Sequence, residues 1–246
     1  MAQTNIHSLN NKIVTLSVVV LCYRAGESII GFTKALQDHL NSFETDWQLV
    51  LVGNYLVGSD DKTGDIILKM AQQDDKIKTI IKPKEGMMGW DMRMGMEHAD
   101  GQYICVIDGD GQFPIESIGK AYKLIRENNV DVVKTFRVRR YDGAYRRFIS
   151  FCYNIIFRIL FPRLNSKDIN SKPKIIRREA FDKLKLYSND WFIDSEIMLE
   201  VRRLKLSFIE FPVVFHQIQD RRSFVKVSAI LEFIRNLIIY RLRKNT

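Results

Sequence analysis

The sequence predicts an α/β fold, a three-layer sandwich with a mostly parallel central sheet. Over residues 14–136, short apolar runs of strand length alternate with segments of helical period, which is the pattern of repeated βαβ units. The runs are rich in β-branched residues, as in strands that are buried on both faces. Hydrophobic residues make up 46% of the 246 residues, which supports a large core and excludes global disorder.

The individual elements follow from these patterns in order. Strands are predicted at 16–22, 47–52, 77–81, 103–107 and 130–136, and helices at 63–73, 87–99 and 115–127. A further helix begins at Gly26 and carries Ile29, Phe32, Leu36 and Leu40 on one face. Right-handed crossovers would bring the carboxyl ends of the strands, and therefore a ligand site, to one edge of the sheet.

The chain becomes basic and amphipathic after residue 136. A dense group of arginines comes first, namely Arg137, Arg139, Arg140, Arg146 and Arg147. Residues 148–161 then place apolar side chains at helical spacing, and a second basic amphipathic helix is predicted within residues 227–246. Helices of this kind can lie in the interface of an anionic membrane, and packing against the core would give the same pattern.

The expected organisation is a single domain at residues 13–226, with a first half at 13–136 and a second half at 137–226. Residues 1–12 are expected to be loosely ordered, and they lack the regions of a signal peptide. No stretch reaches the roughly 20 apolar residues of a membrane-spanning helix. The sequence therefore predicts a cytoplasmic protein, or one that is peripheral to the cytoplasmic face of a membrane.

The charge balance favours an anionic partner. The formal net charge is +9, which suits phosphate groups, anionic lipid or nucleic acid. Nucleic acid is the weakest of these alternatives, because the positive charges are not interleaved with stacking aromatic residues and no binding motif is present. The 3 cysteines and 4 histidines lack the spacing of metal ligands, so a zinc site is not expected.

An acidic turn follows the fourth predicted strand. The segment reads Asp108-Gly-Asp-Gly-Gln-Phe-Pro114, and side chains two residues apart in an extended chain point the same way. Flexible glycines at positions 109 and 111 would let two carboxylates and an amide oxygen meet one hard cation. The pattern indicates a metal that holds a nucleotide diphosphate, although an acidic turn without a ligand is a common alternative.

Several segments together resemble the inverting family 2 glycosyltransferases with the Rossmann-like GT-A fold. They are Leu16-Ser-Val-Val-Val-Leu-Cys-Tyr-Arg-Ala-Gly-Glu27, the glycine-rich stretch at 84–101, the acidic turn, and Glu210-Phe-Pro-Val-Val-Phe215. The resemblance covers about residues 14–226. Gln112 and Pro114 make the turn similar to that of the polyprenyl-phosphate sugar synthases of the dolichyl-phosphate mannose synthase type.

The resemblance implies a donor site for a nucleoside-diphosphate sugar, with UDP or GDP as the nucleotide, in the first half of the domain. The implied donor-binding residues are Val20, Cys22, Tyr23, Glu27, Asn54, Gly86, Arg93, Asp108 and Gly109. Mg²⁺ or Mn²⁺ would be held by Asp108, Asp110 and Gln112, and would stabilise the leaving diphosphate as a Lewis acid. Asn54 stands where the family usually has an aspartate that holds the nucleobase, so the base is not predicted.

The implied acceptor site is strongly basic. Its residues are Arg137, Arg146, Arg147, Arg221 and Lys226, which would grip the phosphate of a polyprenyl phosphate. Two departures from the family pattern fall here, since Lys172 replaces a common glycine and Arg221 occupies another glycine position. The implied catalytic residues are Asp110, Asp194 and Arg137.

The choice of acceptor stays open at this point. A lipid phosphate is already an anion, whereas a saccharide hydroxyl, as in surface polysaccharide or glycolipid assembly, needs a carboxylate base. Asp194 and Glu196 are the candidates for that base, and the dipole of a helix N-terminus also favours acids there. A family member that binds without catalysing is a further alternative.

Overall fold

The computed structural model describes residues 14–140, 144–162, 164–216 and 235–240. Its strands are β1 (Leu16–Leu21), β2 (Trp47–Val52), β3 (Ile77–Ile80), β4 (Tyr103–Asp108), β5 (Val132–Arg140), β6 (Lys174–Arg177) and β7 (Phe208–Phe215). Its helices are α1 (Ser28–Asn41), α2 (Thr63–Ala71), α3 (Met88–Glu97), α4 (Glu116–Glu127), α5 (Ala144–Leu160), α6 (Arg178–Phe181) and α7 (Ile193–Arg203). Residues 235–240 are also helical.

The seven strands form one sheet in the order β3-β2-β1-β4-β6-β5-β7. Strand β1 pairs in parallel with β2 and β4, β2 with β3, and β5 with β7. Strand β6 alone runs antiparallel, between β4 and β5. The prediction of a mostly parallel sheet in an α/β fold is therefore confirmed, and the carboxyl ends of six strands share one edge.

Helices cover both faces of the sheet. Apolar residues of α1, α2 and α4 pack on one face, against side chains such as Val18 and Ile107. Residues of α3, α5 and α7 pack on the other face, against side chains such as Val19 and Val106. This alternation along β1 and β4 is what successive strand residues require, and it gives the three layers that the sequence predicts.

Strand β6 has no counterpart among the predicted elements. It is only four residues long, and it begins with Lys174, which is fully buried. A buried lysine interrupts the apolar run by which a central strand is normally found. The consequence is large, because β6 begins at the edge of the sheet at which β4 ends, and it brings Lys174 and the preceding Lys172 there.

The two amphipathic segments differ in how much of them is described. Helix α5 begins four residues before the predicted helix, at Ala144. The C-terminal helix is described only at 235–240, where Leu237 is fully buried. Within the described ranges, no helix is long and apolar enough to cross a bilayer.

Candidate active site

The acidic turn lies at the sheet edge where β4 ends. Asp108 is the last residue of β4, and the backbone N–H of Gly109 donates to Leu21 O on β1 at 3.0 Å. Gly111 has φ +73°, a conformation that favours glycine. The backbone N–H of Gln112 then donates to Asp110 Oδ1 at 3.0 Å. The three predicted metal-binding residues therefore lie within one five-residue segment at this edge of the sheet.

The oxygen ligands of this turn suit a hard divalent cation. Two carboxylates and one carboxamide are the donors that Mg²⁺ and Mn²⁺ prefer. Across the described parts of the chain, no group of three or more His, Cys, Asp and Glu residues surrounds a common point.

Lys172 lies directly beside the turn because of the strand register. Val106 pairs with Lys174 in the antiparallel β4–β6 ladder. Asp108, two residues after Val106, therefore comes to face Lys172, two residues before Lys174. The Lys172 Nζ is 3.0 Å from Asp108 Oδ1 and 3.3 Å from Oδ2. Burial opposes the charge of Lys172, but Asp108 and Asp194 raise its pKa above the usual value.

Asp194, the predicted base, is buried between two lysines. Its Oδ1 accepts a hydrogen bond from Lys174, and its Oδ2 lies 3.5 Å from Lys172 Nζ. Burial acts to raise the pKa of Asp194, but the charges of Lys172 and Lys174 hold it below its usual range. Burial lowers the pKa of Lys174 to about 8, against the opposing effect of Asp194. Since both carboxylate oxygens are paired, Asp194 is a weak proton acceptor in this arrangement.

Glu196, the alternative base, bonds to the backbone of the loop that precedes α7. Its Oε2 accepts from the backbone N–H groups of Tyr187 and Ser188 at 3.0 and 2.9 Å. Burial raises the pKa of Glu196, although these hydrogen bonds oppose the shift. The carboxylate therefore fixes the loop before α7.

Arg137 is oriented by the carboxylate of Asp168, which lies on the segment between α5 and β6. Its Nε and Nη2 donate to Asp168 Oδ2 and Oδ1 at 2.6 and 2.8 Å, a bidentate pair. Burial opposes the charge of Asp168, but Arg137 holds the pKa of that carboxyl well below its usual range. The guanidinium also lies 5.3 Å from the centre of the Phe215 ring. Arg137 is thus held three residues before the end of β5, on the same edge of the sheet as the acidic turn.

The other predicted acceptor residues are described less completely. Arg146 and Arg147 lie in the first turn of α5, where the side chains are not described. Arg221 and Lys226 fall outside the described residues. Their roles at an acceptor phosphate stay predictions.

Asn54, the predicted base-binding residue, is fully buried. Its Nδ2 donates to Asp91 Oδ1 at 2.8 Å, and its Oδ1 accepts from the backbone N–H of Lys82 at 2.8 Å. Lys84 pairs with Asp91, and Lys84 Nζ lies 4.5 Å from the centre of the Tyr23 ring. A nucleobase could reach Asn54 only by replacing these bonds, whereas the neighbouring Tyr23 is partly exposed.

The glycine-rich stretch contacts a loop of the protein itself. The N–H groups of Met87 and Gly89 donate to the carbonyls of Asn189 and Asp190 at 2.6 and 2.9 Å. A Cβ at Gly89 would lie 2.3 Å from Asp190 O, and one at Gly86 would lie 2.8 Å from Asn189 O. Arg93 donates to Asn189 Oδ1 at 2.7 Å. Close packing of this loop on α3 therefore explains why Gly86, Gly89 and Arg93 stand at these positions, without any contact with a nucleotide sugar.

The remaining predicted donor residues occupy different environments. Val20 and Cys22 are fully buried in the core, so a contact with a donor would have to use backbone atoms. Glu27 is exposed at the start of α1, and Tyr23 is partly exposed. Their roles in donor binding stay predictions.

Several residues at or near the site, besides Lys172 and Asp168, were not predicted as functional. Lys84, Asp91 and Lys174 are buried and charged, and the backbone of His216 exchanges hydrogen bonds with Gln112 at 2.9 and 3.1 Å. His216 directly follows β7, so its place after a strand was the available signal. The buried lysines carried no such signal, because lysine is normally a surface residue.

A mostly parallel sheet, in which one central strand ends in an Asp-x-Asp turn, is the arrangement of the GT-A class of transferases. Glucosyl-3-phosphoglycerate synthase from Mycobacterium tuberculosis, solved with Mn²⁺, UDP and phosphoglyceric acid, has a similar structure with a TM-score of 0.69. The match covers 92% of this chain and 78% of that chain, at 14% sequence identity. Residues 17–192 match the Glycosyl transferase family 2 model. The chain therefore belongs to this family, which confirms the expected resemblance.

Two relatives that are similar to this chain in sequence are both dolichyl-phosphate β-glucosyltransferases. A dolichyl-phosphate β-glucosyltransferase of Trichomonas vaginalis is 25% identical in an alignment of 209 residues, with 80% of this chain and 63% of the relative covered. The dolichyl-phosphate β-glucosyltransferase of Saccharomyces cerevisiae is 24% identical over 253 residues, with 93% of this chain and 75% of the relative covered. The chain thus spans less than two thirds of the first of these relatives.

Proposed function

We propose that this protein transfers a sugar, with inversion, from a nucleoside-diphosphate sugar to a polyprenyl phosphate. The observation that carries the proposal is the pairing of Asp194 with Lys172 and Lys174. The carboxylate that sequence reasoning assigns as base is neutralised, so the site suits an acceptor that needs no deprotonation. The likeness to dolichyl-phosphate β-glucosyltransferases supports the same acceptor class.

The reaction is a single displacement at the anomeric carbon. A phosphate oxygen of the acceptor attacks this carbon with its lone pair, and the bond to the diphosphate oxygen breaks on the opposite face. The nucleoside diphosphate leaves with the electron pair, and no proton has to move. Mg²⁺ or Mn²⁺ bound by Asp108, Asp110 and Gln112 would supply Lewis-acid stabilisation of the leaving group.

The chain's own residues supply the rest of the chemistry. We assign the acceptor phosphate to Arg137, which Asp168 orients at the same edge of the sheet. We propose UDP-glucose as the donor, because the relatives named above are glucosyltransferases and the similar solved structure contains UDP. Tyr23 and Lys84 are the side chains that we assign to the neighbourhood of the base.

Transfer to lipid is the direct test of this function. With UDP-[¹⁴C]glucose, Mn²⁺ and a polyprenyl phosphate, we expect radiolabel in an organic-extractable product that mild acid releases and alkali does not. GDP-mannose is the matched donor control and should give less product. Label that appears only on an added saccharide acceptor, with each polyprenyl phosphate inactive, would reject the lipid acceptor while keeping the transferase.

We further propose that helix α5 contacts the cytoplasmic face of an anionic membrane. Phe151, Ile155 and Ile159 are spaced by four residues and are 63%, 38% and 72% exposed, so they form one apolar stripe. On the opposite side of the helix, Tyr153 and Phe157 are buried in the core. Since packing is already satisfied on that side, the exposed stripe is available to insert among lipids.

Replacing two residues of this stripe is expected to weaken membrane binding. The variant Phe151→Ser with Ile159→Ser should bind vesicles of phosphatidylcholine and phosphatidylglycerol about tenfold less strongly, because less apolar surface enters the interface. Sedimentation with vesicles measures the change, and thermal unfolding should be nearly unaltered because both side chains are exposed. The control is Val57→Ser, because Val57 is 81% exposed on the loop between β2 and α2. Equal binding of the double variant and the wild type would contradict the proposal.

A further inference from the structure

Lys172 is a buried cation that bonds to one of the proposed metal ligands. Its side chain is 3% exposed, and its Nζ lies 3.0 Å from Asp108 Oδ1, 3.5 Å from Asp194 Oδ2 and 3.3 Å from Met88 Sδ. The side chain of Asp108 is 26% exposed, so the carboxylate is shared between the buried ammonium group and the open edge of the sheet. A metal ion at the turn would therefore compete with Lys172 for the carboxylate of Asp108.

The charges around Lys172 show why this sharing matters. Asp108 and Asp194 contact it, Asp110 is near enough to interact with it electrostatically, and Lys174 neutralises Asp194. Three carboxylates against two ammonium groups leave one net negative charge. A divalent cation alone would turn this cluster positive, whereas a cation together with a diphosphate would not. Two positive charges close together in a site with little water repel each other strongly.

We propose that Lys172 makes the binding of the divalent cation depend on the diphosphate of the nucleotide-sugar donor. In this role the Lys172 ammonium group exchanges one anionic partner, Asp108, for another, the diphosphate. Without a nucleotide, Lys172 holds Asp108 and opposes the cation. When the donor binds, the ammonium group contacts a diphosphate oxygen and leaves Asp108 to the cation. The inference rests on the proposed function, because it assumes that a nucleoside diphosphate occupies this turn.

The proposal has a thermodynamic signature. Lys172 must give up Asp108 before a cation binds alone, and the diphosphate removes that requirement. The cation and the diphosphate therefore strengthen each other's binding beyond their direct attraction, by the same factor in both directions. Removing the charge of Lys172 should tighten cation binding to the nucleotide-free protein. It should also reduce the factor by which the cation and the diphosphate strengthen each other's binding.

Calorimetric titrations of the full chain test the proposal. Three dissociation constants are measured for each protein: Mn²⁺ alone, UDP with EDTA, and UDP at saturating Mn²⁺. For Lys172→Met, we expect Mn²⁺ alone to bind about tenfold more tightly and the gain in UDP affinity from Mn²⁺ to fall by a similar factor. The complex that Mn²⁺ and UDP form in solution is the same for both proteins and cancels from the comparison.

Two further variants separate charge from packing. Lys172→Arg keeps the positive charge and should bind Mn²⁺ alone as the wild type does. Lys172→Gln is a second neutral variant, whose amide can still bond to Asp108, and it should also bind Mn²⁺ more tightly. Circular dichroism and thermal unfolding identify which variants are folded. A purely structural lysine would change stability in these variants but would not increase their affinity for Mn²⁺.

The outcomes distinguish this inference from the function on which it rests. If the neutral variants bind Mn²⁺ alone no better than the wild type, and the gain in UDP affinity is unchanged, the role of Lys172 is refuted while the transferase function stands. A wild type that binds Mn²⁺ more tightly without UDP than with it would also refute this role. If the wild type binds no nucleoside diphosphate with Mn²⁺, the proposed function fails together with the inference.

Discussion

Asp110→Asn is expected to lower kcat for sugar transfer about 10³-fold, because the variant loses a charged oxygen ligand where the diphosphate leaves. The side chain keeps its size, and the Asn carbonyl oxygen can still accept the hydrogen bond that Gln112 N–H now gives to Asp110 Oδ1. Folding should therefore be little changed. The loss should appear in kcat, since the leaving group gains its charge mainly in the transition state.

Initial rates of transfer from radiolabelled donor measure this effect across a range of Mn²⁺ concentrations. A higher Mn²⁺ concentration should restore part of the lost rate in Asp110→Asn, because a weakened site can still be filled. The matched control is Asp65→Asn, since Asp65 is exposed on α2 and away from the turn. A rate within twofold of the wild type for Asp110→Asn would remove Asp110 from the metal site.

The first half of the sheet was predictable because its residues follow simple rules. Strands β1, β2 and β4 are mainly apolar runs, and the structure confirms each within one residue. The acidic turn was predictable for the same reason, since Asp108 and Asp110 end a run in which apolar residues are otherwise unbroken. Local pattern and global fold agree in this region, which is the usual condition for successful reasoning from sequence.

The second half was less predictable because its core is ionic. Strand β6 begins with a buried lysine, and the neighbouring Lys134 of β5 is also fully buried. Hydropathy assigns such residues to the surface, and only the three-dimensional arrangement shows that Asp194 and Glu210 pair with them. The same limit applies to Lys172, which the sequence shows only as a departure from a common glycine.

Breaking the buried pair of Lys134 and Glu210 is expected to cause a large loss of stability. Lys134 is paired across the sheet with Glu210 on one side and Lys174 on the other. Its Nζ lies 2.7 Å from Glu210 Oε1, and the two side chains are 0% and 7% exposed. Replacing Lys134 by Met would leave a buried carboxylate without its cation. We expect Lys134→Met to lower the free energy of unfolding by about 3–5 kcal/mol.

A double variant separates this cost from the loss of packing. Adding Glu210→Gln to Lys134→Met removes the unpaired charge, and the Gln carbonyl can still accept from the backbone N–H of Lys167, now 2.9 Å from Glu210 Oε2. Urea unfolding should therefore show the double variant to be more stable than Lys134→Met, because an unpaired buried charge costs more than a buried neutral amide. Lys34→Met, at an exposed position on α1, should change stability by no more than about 0.5 kcal/mol. A double variant less stable than Lys134→Met would show that Glu210 is stabilised by partners other than Lys134.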